Sequence, residues 1–158
     1  MEIGDLLRPE LITLELKAAA KAEVIRELAA LMAAAGFLDD VEAYIAAVME
    51  REAIGSTGVG MGVAIPHGKA KAVRAACVAF GKSTPGVDFG GPDGPAHLIF
   101  LIAVPENADN HHLKILAKLS RMLIHEEVRA KLAQATSEEE VLAALQRRDE
   151  KAGKEVTP

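Results

Sequence analysis

Apolar residues change their spacing from one stretch of the chain to the next, and the spacing predicts the elements. Leu11-Ile12-Thr13-Leu14-Glu15-Leu16 follows Pro9 and reads as a short strand with imperfect alternation. From Lys21 to Ala35 the period becomes helical, with Val24, Ile25, Leu28, Leu31 and Met32 on one face and Gly36 closing the segment. Asp39, with Glu42 three positions on, resembles a capping box. It opens a second helix that places Val41, Tyr44, Ile45, Val48 and Met49 on one face and carries Arg51 to its C-terminal edge.

A glycine-rich run separates this half from the next. Val73 to Phe80 is small and apolar and suits a buried strand ending at Gly81. Thr84-Pro85-Gly86 and Gly90-Gly91-Pro92-Asp93-Gly94-Pro95 read as turns on either side of Val87-Asp88-Phe89. Ala96 to Val104 is the strongest strand signal, apolar at both alternating sets of positions, as a central strand covered by helices should be. Pro105 ends it. A helix from about Asp109 to Ile124 follows, then a shorter one over Glu126 to Ala133. Ser137-Glu138-Glu139-Glu140 is a capping box opening a last helix through Val141, Leu142 and Leu145. Strands interleaved with helices, without repeat or linker, predict a single α/β domain whose sheet is covered on both faces. Residues 1–148 form that domain, and the polar stretch 149–158 is expected to be a disordered tail.

Composition narrows the function classes. At 158 residues, half of them apolar and 26% charged, the chain can bury a core without disulfides or metals. A net charge of −5 argues against nucleic acid as a partner. Five aromatic residues (Phe37, Tyr44, Phe80, Phe89, Phe100) are too few for a base- or sugar-stacking platform. The lone Cys77 fits a reducing cytoplasm. No apolar run is long enough for a membrane span, and no export signal is recognisable, so direct membrane insertion is not expected.

The candidate chemistry lies in Arg51-Glu52-Ala53-Ile54-Gly55-Ser56-Thr57-Gly58-Val59-Gly60-Met61-Gly62-Val63-Ala64-Ile65-Pro66-His67-Gly68-Lys69. So many glycines cost folding entropy, and a backbone cradle presenting His67 to a phosphoryl group would explain them. Familiar nucleotide motifs fail. Ala76 stands where a phosphate-binding loop ending in Gly81-Lys82-Ser83 needs glycine, and Ala70 replaces the hydroxyl after Gly68-Lys69. The run has no G-x-G-x-x-G spacing. Arg129 occupies the second histidine position of a zincin motif begun at His125-Glu126, and no nucleophile elbow is present. A nucleotide loop, a dinucleotide fingerprint and a zinc site therefore have little support.

Position separates the five histidines. His125 follows a helix end beside Glu126 and Glu127, and His97 enters the central strand after a turn; both read as structural. On the helix after Asp109, Ile115, Leu116, Leu119, Met122 and Leu123 form an apolar arc. His112 falls inside this arc, whereas His111 lies at its edge beside Lys114 and Lys118. An inward histidine at a helix start either bonds a neighbouring carbonyl or marks a place where an anion sits. His67 follows Pro66 and precedes Gly68, and imidazole is a nucleophile near neutral pH. Phosphoryl transfer asks mainly for positioning and charge stabilisation. Arg51 is the natural cation, because its planar fork suits phosphate. Ser56 and Thr57 either donate to the phosphoryl group or shape the turn.

With these residues in view, the stretch Arg51 to Gly68 resembles the signature of the phosphotransferase-system (PTS) EIIA domain of the fructose/mannitol type. Pro105 to Ser120 resembles its second signature, and the likeness runs from about Leu6 to Leu145. The resemblance implies a mixed parallel and antiparallel sheet flanked by helices. It implies that His67 is the phosphorylated histidine, His112 the second active-site histidine and Arg51 the active-site arginine. It also implies phospho-HPr as donor, a cysteine of an EIIB partner as acceptor, and no cofactor. Met61 stands where asparagine is common, and His111 where an acidic residue is common. The chain is expected to be a free-standing cytoplasmic EIIA phosphocarrier. An alternative is a regulatory nitrogen-PTS EIIA whose phosphorylation state controls which proteins it binds. A third reading is a metal-dependent hydrolase using His67, His111 and His112.

Overall fold

The structure, a computed structural model, describes residues 3–146. The expected tail at 149–158 and the domain boundary at 148 lie outside the described residues. A short helix α1 (Ile3–Leu6) and a 3-10 turn (Pro9–Leu11) lead into strand β1 (Ile12–Thr13). Helices α2 (Lys21–Ala34) and α3 (Val41–Ile54) follow, then strands β2 (Gly58–Gly60), β3 (Val63–Ala64) and β4 (His67–Ala70). Strands β5 (Cys77–Val87) and β6 (Ala96–Pro105) complete the sheet, and α4 (His111–Leu123), α5 (Glu126–Gln134) and a helix α6 over 138–146 close the described chain.

β6 sits in the middle. β5 runs antiparallel along one side of it, while β3 and β4, end to end, run parallel along the other. β1 extends the sheet in parallel beyond β5, and β2 folds back antiparallel on β3. The sheet is thus mixed, as expected. β6 is buried from Leu98 to Val104, which explains why its sequence shows no polar face. Helices α2 and α3 pack on each other and on β5 and β4, while α4 and α5 pack on each other and on β6. The two layers share one apolar core in which Phe80 and Phe100 meet at 4.7 Å between ring centroids.

Several local features differ from expectation. The cap of α3 is Asp40, whose carboxylate accepts from the Ala43 N–H at 3.1 Å; Asp39 instead pairs with Arg74. The strand expected to end at Gly81 continues to Val87, and Thr84-Pro85-Gly86 is an irregularity inside β5 and not a turn that ends it. The capping box before α6 is half reciprocal. Ser137 accepts from the Glu140 N–H at 3.2 Å, but Glu140 reaches back to the N–H of Thr136 at 3.0 Å. The glycine-rich run that separates the two halves of the chain contains β2, β3 and β4.

Candidate functional site

β4 carries the site because alternate residues of a strand point to opposite faces. Gly68 faces α3, where an added Cβ would stand 2.7 Å from Val48 Cγ2 and 3.1 Å from Tyr44 Cε1. A hydrogen atom is all that fits. Tyr44 is locked there, donating its hydroxyl to the Ile102 carbonyl at 2.7 Å. His67 and Lys69 therefore point to the other face, toward the start of α4. Lys69 donates to the Asp109 carbonyl at 2.7 Å, pinning the loop that leads into that helix. Asp109 itself holds a positive φ of 50°.

This arrangement brings His67 and His112 together. Their rings stack at 6.0 Å between centroids, 25° apart. His67 Nδ1 lies 3.1 Å from the Ile65 carbonyl, which can only accept, so Nδ1 carries the proton and Nε2 keeps its lone pair. The Nδ1 of His112 is buried and has no hydrogen-bond partner among the described residues. Burial, then His67 and Lys69, hold the His112 pKa below its ordinary value. A neutral imidazole at a helix N-terminus, with an orphaned nitrogen, sits beside a histidine with a free nucleophilic nitrogen.

Arg51 lies in the last turn of α3, and its guanidinium donates to the Gly55 carbonyl at 2.9 Å. Its neighbour Val48, one turn earlier, is the residue that touches Gly68. The two hydroxyls left open by the sequence both have partners within the fold. Ser56 Oγ bonds the Phe89 carbonyl and accepts from the Gly58 N–H at 3.0 Å, while Thr57 Oγ1 donates to Glu52. His97 bonds the Ser83 carbonyl through Nδ1 at 2.9 Å, which fits its structural reading. Met61 and Gly62 form the turn between β2 and β3, both at positive φ (60° and 74°). Sequence reasoning missed Lys69, whose only signal was its place two residues after His67 on a strand hidden within the glycine run.

Comparison with known proteins identifies the family. The profile described as "Phosphoenolpyruvate-dependent sugar phosphotransferase system, EIIA 2" matches residues 5–148. The chain is 45% identical over 145 residues to the PTS system fructose-specific EIIA component of Haloferax volcanii, covering 91% of this chain and 94% of that protein. It is 42% identical over 150 residues to the fructose-specific EIIABC component of Bacillus subtilis, covering 94% of this chain but only 24% of that longer protein. Among solved structures, the nitrogen regulatory protein IIA-Ntr of Neisseria meningitidis superposes with a TM-score of 0.79 at 36% identity, covering 90% of this chain and 98% of that one. Enzyme IIAMTL of Escherichia coli, in complex with phosphorylated enzyme IIBMTL, gives 0.76 at 34% identity, covering 89% and 98%. Among the described residues, no helix is long and apolar enough to cross a membrane. The matched profile spans nearly all of the domain and includes both histidines of the stacked pair, so the chain belongs to the EIIA 2 family of the phosphoenolpyruvate-dependent sugar phosphotransferase system.

Proposed function

We propose that the chain is a cytoplasmic phosphocarrier that accepts a phosphoryl group from phospho-HPr on His67 and passes it to the EIIB component of a fructose/mannitol-type transporter. The observation that carries this reading is the His67 ring, held through Nδ1 with Nε2 free beside His112. In the first half-reaction the Nε2 lone pair attacks phosphorus, an N–P bond forms on His67, and the donor histidine of HPr leaves with its electron pair. In the second, a cysteine thiolate of EIIB attacks, an S–P bond forms, and the electron pair returns to Nε2. The thiol proton goes to solvent before attack. Neutral His112 and the N–H groups at the start of α4 receive the phosphoryl oxygens as charge gathers on them. Arg51, at rest on the Gly55 carbonyl, supplies the cation.

Incubation with phosphoenolpyruvate, EI and HPr, read by mass spectrometry, tests the proposal. The expected result is one acid-labile, base-stable phosphoryl group that is absent in His67→Ala. Labelling that persists in this variant overturns it. The likeness to the Neisseria nitrogen regulatory protein supports a second reading, in which phosphorylation of His67 selects binding partners. A fructose-type EIIB separates the two: rapid loss of label to it supports the carrier, and retention supports the regulator.

A further inference from the structure

One residue past Arg51, the fold buries a carboxylate. The Glu52 side chain is 1% exposed. Its Oε2 accepts from the Thr57 hydroxyl. Its Oε1 has no hydrogen bond and faces the Lys21 ammonium at 3.5 Å, from the first turn of α2. A carboxylate withdrawn from water and only partly satisfied is costly, and an apolar side chain of similar volume is often equally or more stable in such a place. Stability alone therefore does not account for Glu52.

What Glu52 holds is legible in its partner. Thr57 is buried, and its carbonyl accepts from the Ile65 N–H at 2.9 Å. The Ile65 carbonyl is in turn the acceptor for the Nδ1 proton of His67, at 3.1 Å. Pro66, between them, is fixed from the other side by the Ile102 N–H at 3.0 Å. The Ile65-Pro66 segment that sets the His67 ring is thus clamped between β6 and Thr57, and the Thr57 clamp is anchored on a buried anion.

We propose that Lys21, Glu52 and Thr57 are positioning residues that fix the tautomer and orientation of the His67 ring. Lys21 neutralises Glu52, Glu52 holds the Thr57 hydroxyl, the Thr57 carbonyl fixes Ile65, and the Ile65 carbonyl keeps the proton on Nδ1. None of the three touches the reacting atoms. Their effect on phosphoryl transfer rests on His67 being the phosphoryl acceptor, whereas their effect on the ring does not.

Two readouts keep these apart. The ring tautomer is read from histidine 15N–13C correlation spectra of the unphosphorylated chain, and phosphorylation by HPr is timed separately. Thr57→Val should lower the Nδ1–H population of His67, leave the tautomer of His97 unchanged, and slow phosphorylation by at least about tenfold. Thr57→Ser, which keeps the hydroxyl, should restore both. Since Thr57→Val strands a buried carboxylate, the double variant Glu52→Met/Thr57→Val supplies the decisive comparison. Removing both partners should recover much of the lost stability, and Lys21, a third exposed, can turn to water. A double variant as stable as the parent yet still slow, with a disturbed His67 tautomer, supports positioning. A folded double variant with parental tautomer and rate overturns it. Disturbed tautomer with no phosphorylation of even the parent chain leaves positioning standing and removes the carrier reading instead.

Discussion

His112 is held in its neutral form by effects that can be ranked: burial comes first, then the neighbouring His67, then Lys69. Its native pKa lies below the ordinary 6.5. Between those two values the unfolded chain binds a proton that the native one does not, so stability rises with pH there. The His112 contribution is thus intact above about pH 6.5, falls as pH drops below it, and stops changing once pH has passed the native pKa. Urea melts at about pH 7.5 and about pH 5.5 should show a smaller midpoint loss in His112→Gln than in the parent. Equal losses would refute a neutral imidazole with a buried Nδ1.

Met61 is a second residue whose setting decides its effect. It occupies the first corner of a two-residue hairpin turn with both residues at positive φ, the turn for which Asn-Gly is preferred. Methionine in that region costs about 1 kcal/mol, and asparagine less. Its sulfur accepts from Arg129 at 3.4 Å, but Arg129 also donates to the Leu123 and Ile124 carbonyls, so the sulfur contact is replaceable. The backbone effect should win. Met61→Asn is expected to stabilise the protein by about 0.5–1 kcal/mol in chemical denaturation; a loss of stability would show that the Arg129 contact dominates. At this scale His67 and His112 were legible because the glycine-rich setting and the helical arc constrain them. Lys69 and Glu52 were not, and Thr57 was marked only as a donor to the phosphoryl group or a shaper of the turn, because their partners lie on other elements or depend on side-chain burial.

α3 lies against β4 with no room at their contact, and that closeness decides where His67 stands. Gly68→Ala would drive a methyl into Val48 and Tyr44, and Tyr44 cannot retreat without giving up its bond to the Ile102 carbonyl. A destabilisation of about 1–3 kcal/mol is expected, as for other overpacked sites. Gly4→Ala, which meets nothing within 4 Å, should leave stability unchanged or improve it. Similar melting temperatures for the two variants would contradict the close packing. Elements were legible in the sequence where they are long and periodic, as in α2, α3, α4 and β6. Three kinds of feature escaped. Two- to four-residue strands such as β3 and β4 owe their regularity to pairing with β6. The α3 cap sits at Asp40 because Arg74, from beyond β4, takes Asp39. Thr84-Pro85-Gly86 has turn chemistry, yet the pairing of Val87 with Ala96 keeps it within β5.

Taken whole, the described chain has a single apolar core to which helices and strands from both halves contribute. Loss of tertiary packing and loss of helix should therefore coincide on heating, with near- and far-ultraviolet circular dichroism giving one midpoint; separated midpoints would imply two units. The central place of β6 also bears on how the molecule is made. β3, β4 and β5 all precede β6 in the chain and all pair with it. During synthesis they leave the ribosome before the strand that organises them exists. Until Pro105 has emerged, most of the sheet has no template, and the newborn chain presents apolar edges to whatever surrounds it. Assembly of the sheet is thereby deferred until β6 has left the ribosome, and a chain halted before β6 has every reason to be captured by chaperones or degraded.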